Sequence, residues 1–421
     1  MAAELSRPPG PATALRGFAL ALVLLWLSGA ALRVTILAVP PVLPRITAEL
    51  GLSATDIGLL TGLPSLLFAL AAVPGALLIS RFGAVSALVA GLLLNAIGAA
   101  ARGFAGSALG LDATTVLMCL GIAVMQPAMP PLVREWAPAR IGFATAVYTN
   151  GLLMGELIPI AWVPQPVLPL VGGGWRASLA VWALPVLATA LLVGALGRRS
   201  KAAADAATPR WWPDWRDPRV WRLGLMLGGV NATYFGLNGF LPGWLTAAGA
   251  PDLARPALTA LNLAQIPASL LMLVLAGRLV RRPAAYASAG ALLLTGVLGC
   301  VAMPGPAAVA WAGLAGFAGG MLLTLGLALP SLLGAAADVP RLAAAMFTVS
   351  YGLALGAALL AGRLWDLSGM AAMAFLPFAL AALAVTLLGA TLRLRPAEAP
   401  RSRDLRAEVP ATDDRSGPRR P

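Results

Sequence analysis

The chain contains no histidine and only two cysteines, Cys119 and Cys300, both of which lie inside apolar runs. Without imidazole or clustered thiols there is no ligand set for a metal site, and two isolated cysteines do not predict a disulfide framework. Charged residues are also scarce, at 11% of the chain against about one quarter in ordinary soluble domains. No nucleotide-binding motif suggests a primary pump. We therefore expect neither an enzyme nor a cofactor or metal site.

Apolar residues make up 59% of the chain, and its mean hydropathy is +0.84. A net charge of +13 could indicate a nucleic-acid partner, but the arginines are scattered between apolar runs and form no basic patch. A chain of this composition has the bilayer as its solvent. We predict an all-α integral membrane protein whose partner is the lipid bilayer, with no nucleic acid bound.

Charges and Gly/Pro breaks divide the chain into twelve apolar segments, each long enough as a helix to cross the roughly 30 Å hydrocarbon core. The six spans predicted in the first half are residues 15–40, 54–79, 83–103, 112–134, 141–165 and 174–197. The six in the second half are residues 219–246, 255–278, 284–303, 306–332, 341–364 and 370–393. They predict two six-helix bundles, over residues 15–197 and 219–394.

Polar segments flank and join these bundles. We predict cytoplasmic segments over residues 1–14 and 198–218, and a cytoplasmic tail over residues 395–421 that is disordered because it has too little apolar surface to pack. With this topology twenty-four Lys and Arg lie inside and Arg33 lies in the membrane. Five lie outside, namely Arg45, Arg102, Arg176, Arg255 and Arg363. The positive-inside rule then predicts a cytoplasmic-membrane protein with both termini in the cytoplasm.

The two halves of the chain repeat one another. A shift of 198 residues aligns span one with span seven and sets Arg33 opposite Asn231. A shift of 201 residues aligns span five with span eleven and sets Glu156 opposite Ala357. Two six-helix halves in the same orientation, related by an axis along the membrane normal, are the architecture of the major facilitator superfamily.

Three stretches carry a closer resemblance: residues 32–44 (LRVTILAVPPVLP), 148–151 (YTNG) and 234–245 (YFGLNGFLPGWL). They resemble the cyanate and 2-nitroimidazole transporter branch of that superfamily. The resemblance implies transport of cyanate-like anions or nitroimidazole-like compounds. We expect the protein to function as a monomer. Two departures from the branch are Val34, where it has a proline, and Glu156, where a small residue is expected.

Arg33 lies near the middle of the first apolar stretch, where a guanidinium costs about 2.5 to 3.5 kcal/mol even on a lenient insertion scale. Such a cation must face protein or water. Pro40, Pro41 and Pro44 loosen the end of this span, which membranes tolerate where neighbouring helices or a cavity satisfy the freed carbonyls. We predict that Arg33 stands in the substrate site and selects an anion or an electron-rich planar heterocycle.

Polar side chains near the centres of spans four, seven and eight are few, and at helical spacing they share faces that could wall a cavity. The predicted substrate-binding residues besides Arg33 are Gln126, Asn231, Tyr234, Asn238, Asn262 and Gln265. Two alternatives stay open. These groups could join helices through interhelical hydrogen bonds, and Gln126 could cap carbonyls that the nearby prolines free.

Glu156 is the only acid predicted to lie deep in the membrane. A buried carboxylate is a candidate proton carrier, so protons are a possible co-substrate. Alternatively Glu156 forms a fixed ion pair with Arg33, or contacts the substrate directly. Gly151 and Gly155, just before it, are predicted to allow close helix packing.

Charges at the predicted cytoplasmic helix ends are candidates for a gate between the halves, although solvated loop charge explains them as well. These gating candidates are Arg81, Arg134, Glu135, Arg140, Asp338 and Arg341.

The sequence favours a secondary active transporter that works by alternating access. Two alternatives remain: a proton-coupled drug exporter of the same superfamily, and a membrane receptor that binds its ligand without moving it.

Overall fold

The computed structural model describes residues 11–52, 54–197 and 211–393, and every regular element within these ranges is a helix. The α-helices of the first half are α1 (Pro11–Ala31), α2 (Leu43–Leu50), α3 (Ala54–Phe82), α4 (Ala84–Ala101), α5 (Ala108–Trp136), α6 (Ile141–Trp162), α7 (Leu168–Leu170), α8 (Trp175–Ala180) and α9 (Ala183–Leu196). Those of the second half are α10 (Pro218–Ala247), α11 (Ala254–Leu263), α12 (Gln265–Leu279), α13 (Pro283–Ala302), α14 (Ala307–Leu333), α15 (Val339–Ser368) and α16 (Leu376–Ala390). The predicted all-α class is confirmed.

Ten helices among the described residues are long and apolar enough to cross a membrane. The other two predicted spans correspond to α1 and α10. The apolar part of α1, Arg16–Ala31, is short. α10 is long enough, but polar residues in its central turns, Asn231, Tyr234 and Asn238, lower its hydropathy. Of these two helices, α10 carries predicted site residues, and α1 ends just before Arg33.

Equivalent helices pack in equivalent pairs in the two halves. α1 packs along α6 as α10 packs along α15, and α4 packs on α5 and α9 as α13 packs on α14 and α16. Across the halves, α3 contacts α15 and α6 contacts α12. The sequence repeat relates α3 to α12 and α6 to α15, so it converts one of these contacts into the other. This is the pseudo-two-fold arrangement that the repeat predicts.

Span one is not the continuous helix that the sequence predicts. α1 ends at Ala31, residues 32–39 form a run of turns, and a 3₁₀ turn, Pro40–Val42, leads into α2. The break begins well before Pro40, so the prolines do not by themselves produce it. Asn95 and Arg102 donate hydrogen bonds to the Ala31 and Thr35 carbonyls, which have lost their backbone donors. Arg33 therefore stands in a segment of turns that follows α1 rather than within a regular helix.

Some sequence predictions concern residues outside the described ranges. Residues 1–10 of the predicted N-terminal segment, 198–210 of the predicted linker and all of the predicted tail over residues 395–421 lie there. The bundle boundaries stay predictions.

Candidate functional site

Glycines on α6 determine how near Glu156 comes to Arg33. A Cβ at Gly155 would overlap the carbonyl oxygen of Ala30, and Gly151 makes a similar contact one turn earlier. Since only glycine allows two helix backbones to approach this closely, α6 lies directly against the end of α1. Glu156 follows Gly155 in sequence, so the same contact brings its carboxylate to the break that holds Arg33.

Arg33 is held loosely by its neighbours. Its Nε lies 3.3 Å from Glu156 Oε1, and its Nη2 donates to the Tyr351 hydroxyl across 3.4 Å. The Tyr351 hydroxyl in turn donates to Gln126 Oε1 at 3.0 Å. Hydrogen bonds between a guanidinium and a carboxylate are usually about 2.7 to 2.9 Å long. Arg33 and Glu156 are each only 13% exposed, so a shielded cation has an anion beside it without a tight bond to it.

Arg33 also lines two small cavities, one of about 20 Å³ and one of about 30 Å³. Polar and aromatic residues that line the first are Gln126, Tyr148, Asn231, Phe347 and Tyr351. Polar residues that line the second are Glu156, Asn231, Thr233, Tyr234 and Gln265. One water requires roughly 10 to 15 Å³ by this measure. Neither cavity admits a larger solute, so the conformation is closed around Arg33.

The second-half wall is organised by hydrogen bonds between α10 and α11. Tyr234 donates its hydroxyl to Asn262 Oδ1 at 2.8 Å, and Asn262 Nδ2 donates to Asn238 Oδ1 at 2.9 Å. Asn231 Nδ2 donates to the Ser350 hydroxyl of α15 at 2.9 Å. Asn231 thus forms an interhelical hydrogen bond and also lines both cavities. These are the two interpretations that the sequence left open for it.

One amide in this wall lacks a partner. Gln265 Nε2 is buried and has no hydrogen-bond partner among the described residues, although Gln265 lines the same cavity as Glu156. A buried donor without an acceptor costs free energy that a ligand's acceptor atom would recover.

The structure sorts the predicted site residues into two groups. The residues that line the cavities around Arg33 are Gln126, Asn231, Tyr234, Gln265 and Glu156. Asn238 and Asn262 lie behind Tyr234 and orient its hydroxyl.

Sequence reasoning missed the aromatic residues of the first cavity, above all Tyr351. The signal was present in two forms. The chain has only four tyrosines, and three of them, Tyr148, Tyr234 and Tyr351, line the two cavities. The shift of 201 residues also aligns Tyr351 with Asn150, within the YTNG stretch that carries the family resemblance.

Arg102 corrects a second prediction. The charge count placed it among the arginines of the outer loops, but it is 2% exposed and points into the first-half bundle. Hydropathy counting misplaces such a residue because it stands at the end of a span, where loop charges also begin.

Three of the gating candidates, Asp338, Arg341 and Arg140, interact within their own half in this conformation. Asp338, just before α15, pairs with Arg341 in the first turn of that helix at 2.8 Å, and Arg140 lies over the ring of Phe18, 5.5 Å from its centroid. A fourth candidate, Arg134, forms hydrogen bonds to the other half. Arg81 is exposed at the end of α3, and Glu135 interacts within the described part of the chain.

Arg134 reaches from α5 to the end of α14. Its Nη1 donates to the Ser331 carbonyl at 3.1 Å and to the Gly334 carbonyl. The Ser331 hydroxyl donates back to the Pro130 carbonyl at 2.7 Å. These bonds join the two halves at the end of the bundle predicted to be cytoplasmic.

At the opposite end, α2 is tied to the start of α8. Trp175 Nε1 donates to Glu49 Oε2 at 2.6 Å, and Arg176 pairs with the same carboxylate. The donation from Arg176, together with that from Trp175, holds the pKa of Glu49 below its ordinary value of 4.5. This exposed tie anchors the chain that follows the break.

Comparison with known proteins agrees with this architecture. The profile of the Major Facilitator Superfamily matches residues 22–314. The chain is 30% identical over 367 residues to the 2-nitroimidazole transporter of Escherichia coli strain K12, covering 85% of this chain and 91% of that protein. It is 28% identical to the cyanate transport protein CynX of the same strain over 292 residues, covering 69% and 75%. These relatives favour the solute-transporter prediction over the exporter and receptor alternatives.

Solved structures share the fold at low identity. The proton:xylose symporter XylE, bound to 6-bromo-6-deoxy-D-glucose, matches with a TM-score of 0.70 and 12% identity, covering 89% of this chain and 95% of that one. The fucose:proton symporter FucP of E. coli matches with a TM-score of 0.67 and 15% identity, covering 89% and 98%. At such identities the likeness shows the fold alone.

Proposed function

The chain belongs to the Major Facilitator Superfamily, and from that premise we propose that it moves a small anionic or electron-rich planar solute, cyanate-like or nitroimidazole-like, by alternating access. The observation that carries this proposal is the state of Arg33. It is a shielded cation with two long contacts, it lines both cavities, and those cavities have walls from both halves.

Two features of the site suit a planar ligand with an electron-rich edge. A guanidinium can donate two parallel hydrogen bonds to such an edge, and it gains more from a fork of this kind than from one long contact. The first cavity adds aromatic surface beside it. The rings of Phe347 and Tyr351 lie 19° from parallel with centroids 6.3 Å apart, and Tyr148 lines the same cavity.

Entry of the solute changes the partner of Arg33. In the closed conformation Glu156 is the anion nearest to Arg33. A solute that binds Arg33 displaces this carboxylate and joins the two cavities into one site, because Arg33 borders both. Glu156 then needs another partner, and the Tyr234 hydroxyl and Gln265 amide line its cavity. A proton is the alternative partner, which would couple transport to protons.

The test is a ligand-induced thermal-shift screen on the purified full-length chain, with cyanate, 2-nitroimidazole and chloride as probes. Cyanate or 2-nitroimidazole should raise the unfolding temperature of the wild type, chloride should not, and Arg33→Ala should remove the shift. Arg255→Ala, a change at an exposed arginine, is the control. Counterflow in proteoliposomes then separates transport from binding. A well-folded Arg33→Ala protein that transports like the wild type would disprove the role of Arg33.

We also propose that the protein functions as a monomer in the cytoplasmic membrane with both termini inside. Cysteines introduced at Ser402 and Gly106 test the topology in a background lacking Cys119 and Cys300. An impermeant maleimide should label the Gly106→Cys protein in intact cells and leave the Ser402→Cys protein unlabelled. The opposite labelling pattern would reverse the topology.

A further inference from the structure

The break in span one leaves several backbone carbonyls without their helical donors, and two of them, those of Ala31 and Thr35, accept hydrogen bonds from buried side chains. In a continuous helix the carbonyls of Ala31 and Thr35 would accept from the amides four residues later. Here the Ala31 carbonyl accepts from Asn95 Nδ2 at 2.9 Å, and the Thr35 carbonyl accepts from Arg102 Nη1 at 2.7 Å. The Val39 amide, which would have served Thr35, bonds to Ile36 instead.

Further bonds join these two side chains into one network. The Thr35 hydroxyl donates to Asn95 Oδ1 at 3.0 Å, and Arg102 Nε donates to the Thr115 hydroxyl of α5 at 3.1 Å. Thr115 is itself anchored to the Leu111 carbonyl at 2.7 Å. The break is therefore tied to Asn95 of α4, to Arg102 in the turn that follows α4 and, through Arg102, to α5.

Arg102 differs from Arg33 in what surrounds it. No carboxylate of the described residues forms an ion pair with Arg102, although the side chain is almost completely buried. A cation placed this deep is unfavourable unless its donors are used, and carbonyl oxygens are suitable acceptors. Its bond to Thr35 is short, whereas both contacts of Arg33 exceed 3.2 Å. Arg102 is engaged by the backbone, and Arg33 is left available.

The network brackets Arg33. Ala31 and Thr35 stand two residues before and two residues after it, so both sides of its backbone are held. The second half has no such break: α10 runs without interruption through Asn231, the repeat mate of Arg33. At the same offset of 198 residues, Asn95 and Arg102 fall on Leu293 and Cys300, which cannot replace them. The polar network and the break thus occur together in the half that carries the cation.

We propose that Arg102 and Asn95 are positioning residues, which hold residues 32–39 out of the helix and thereby set where the Arg33 guanidinium stands in the substrate site. This inference rests on the function proposed for Arg33. It assigns a role to Arg102, a buried cation that is not among the residues lining the two cavities described above.

The first test measures the segment without any substrate. Hydrogen–deuterium exchange of the full-length chain in nanodiscs compares the wild type with Arg102→Met, Arg102→Lys, Asn95→Leu and Thr115→Val. Exchange over residues 32–39 should be faster by about tenfold or more in Arg102→Met, the factor that loss of a hydrogen bond to a charged group corresponds to. Arg102→Lys should be intermediate because lysine keeps the charge and loses the fork. Exchange over residues 230–237 of α10 should be unchanged in these variants. The exposed-site variant Arg255→Gln should leave exchange over residues 32–39 unchanged.

The second test asks whether the segment positions Arg33. Counterflow of cyanate and of 2-nitroimidazole should show a raised KM in Arg102→Met, with a smaller change in maximal rate, and partial recovery in Arg102→Lys. In an Arg33→Lys background, the added effect of Arg102→Met on KM should shrink, because the fork that needed alignment is already gone. The effect on unfolding temperature should be the same in both backgrounds. Thr115→Val serves if Arg102→Met does not fold, since it removes one acceptor and keeps the cation.

Unchanged exchange over residues 32–39 in folded Arg102 variants would overturn the proposal. So would faster exchange with an unaltered KM in a protein whose transport depends on Arg33. If the proposed function is wrong, a different result is expected: the Arg33→Ala protein would transport like the wild type. The exchange measurement would still decide whether Arg102 holds the break.

Discussion

Glu156→Gln removes the carboxylate beside Arg33 while keeping its shape. At a separation of 3.3 Å and an effective dielectric constant of about 20, the attraction lost is about 5 kcal/mol. The carboxylate's own desolvation cost is relieved at the same time, and the single long contact contributes little hydrogen bonding. We expect a loss of about 2 to 4 kcal/mol in unfolding free energy, near or below the 3 to 5 kcal/mol typical of a broken buried pair.

The assay is a double-mutant cycle of Glu156→Gln, Arg33→Met and their combination, with unfolding free energies from SDS titration in mixed micelles. The double variant should recover stability, because it leaves no unpaired charge. The matched control is the cycle of Asp338→Asn and Arg341→Gln, a partly exposed pair at 2.8 Å that should show a coupling of about 1 kcal/mol or less. A coupling at the buried pair no larger than that of the control would refute the reasoning.

The same variants separate the two roles of the pair. If the solute must displace Glu156 from Arg33, Glu156→Gln removes a competitor, and cyanate should bind at least as tightly as to the wild type. Arg33→Met should abolish binding. Loss of binding in a folded Glu156→Gln protein would instead make Glu156 a direct contact of the solute.

Three further predictions follow from single contacts. Gly155→Ala should destabilise the protein by about 1 to 3 kcal/mol through overpacking against α1, whereas its repeat mate Gly356→Ala, which meets open space, should be neutral in the same SDS titration. Because the pKa of Glu49 is lowered, its contacts with Trp175 and Arg176 stabilise the fold above pH 4.5, and this stabilisation is lost as the pH falls through the folded-state pKa. On acidification, the unfolding temperature of Glu49→Gln should therefore fall less than that of the wild type. Met129 is buried and lines the first cavity. Arg134→Ala should favour opening at the predicted cytoplasmic end by about tenfold, seen as faster alkylation of a Met129→Cys reporter, since it removes charge-assisted bonds between the halves.

Each of these has an outcome that contradicts it. Equal effects of the two glycine substitutions would mean that the close approach of α1 and α6 is not limiting. An unchanged pH dependence in Glu49→Gln would place the acid sensitivity elsewhere. Alkylation of Met129→Cys at the wild-type rate in the Arg134→Ala background would exclude that residue as a tie.

Hydropathy predicted the helical architecture because a bilayer demands long helices with internally bonded backbones. It could not predict the break at residues 32–39. The acceptor carbonyls there are satisfied by Asn95 and Arg102, more than sixty residues away in sequence. Nothing local distinguishes Ala31 or Thr35 from residues that continue a helix. The prolines signalled a weak end to the span, but the structure breaks it earlier.

The site was partly predictable for a similar reason. Rare polar residues at helical spacing pointed to Asn231, Tyr234 and Gln265, because polar groups are costly in a membrane, and the structure places these residues beside Arg33. Their role in substrate binding stays a prediction. Tyr351 escaped because its ring is largely apolar and nothing in its own turn of helix is charged. Arg102 was misplaced because a charge at a span end is usually a loop charge. In both cases the missing information was the packing of one helix on another.

The two charged members of the site, Arg33 and Glu156, belong to the same half, joined through the glycine contact of α1 with α6. In the part of the chain that the structure describes, one hydrogen bond between the halves near the site involves a charge, the long contact of Arg33 with Tyr351. The neutral ones join Gln126 with Tyr351, Thr149 with Thr324, and Asn150 with Ser269, each 3.0 Å long. If the halves rock as proposed, the ion pair travels with one of them. Near the site, the bonds to be exchanged are then neutral ones, each worth about 0.5 to 1.5 kcal/mol and replaceable by water, and the long contact of Arg33 with Tyr351. The charge-assisted bonds of Arg134 lie away from the site, at the predicted cytoplasmic end. The part of the empty carrier's return barrier that arises near the site should therefore be low and nearly independent of ionic strength.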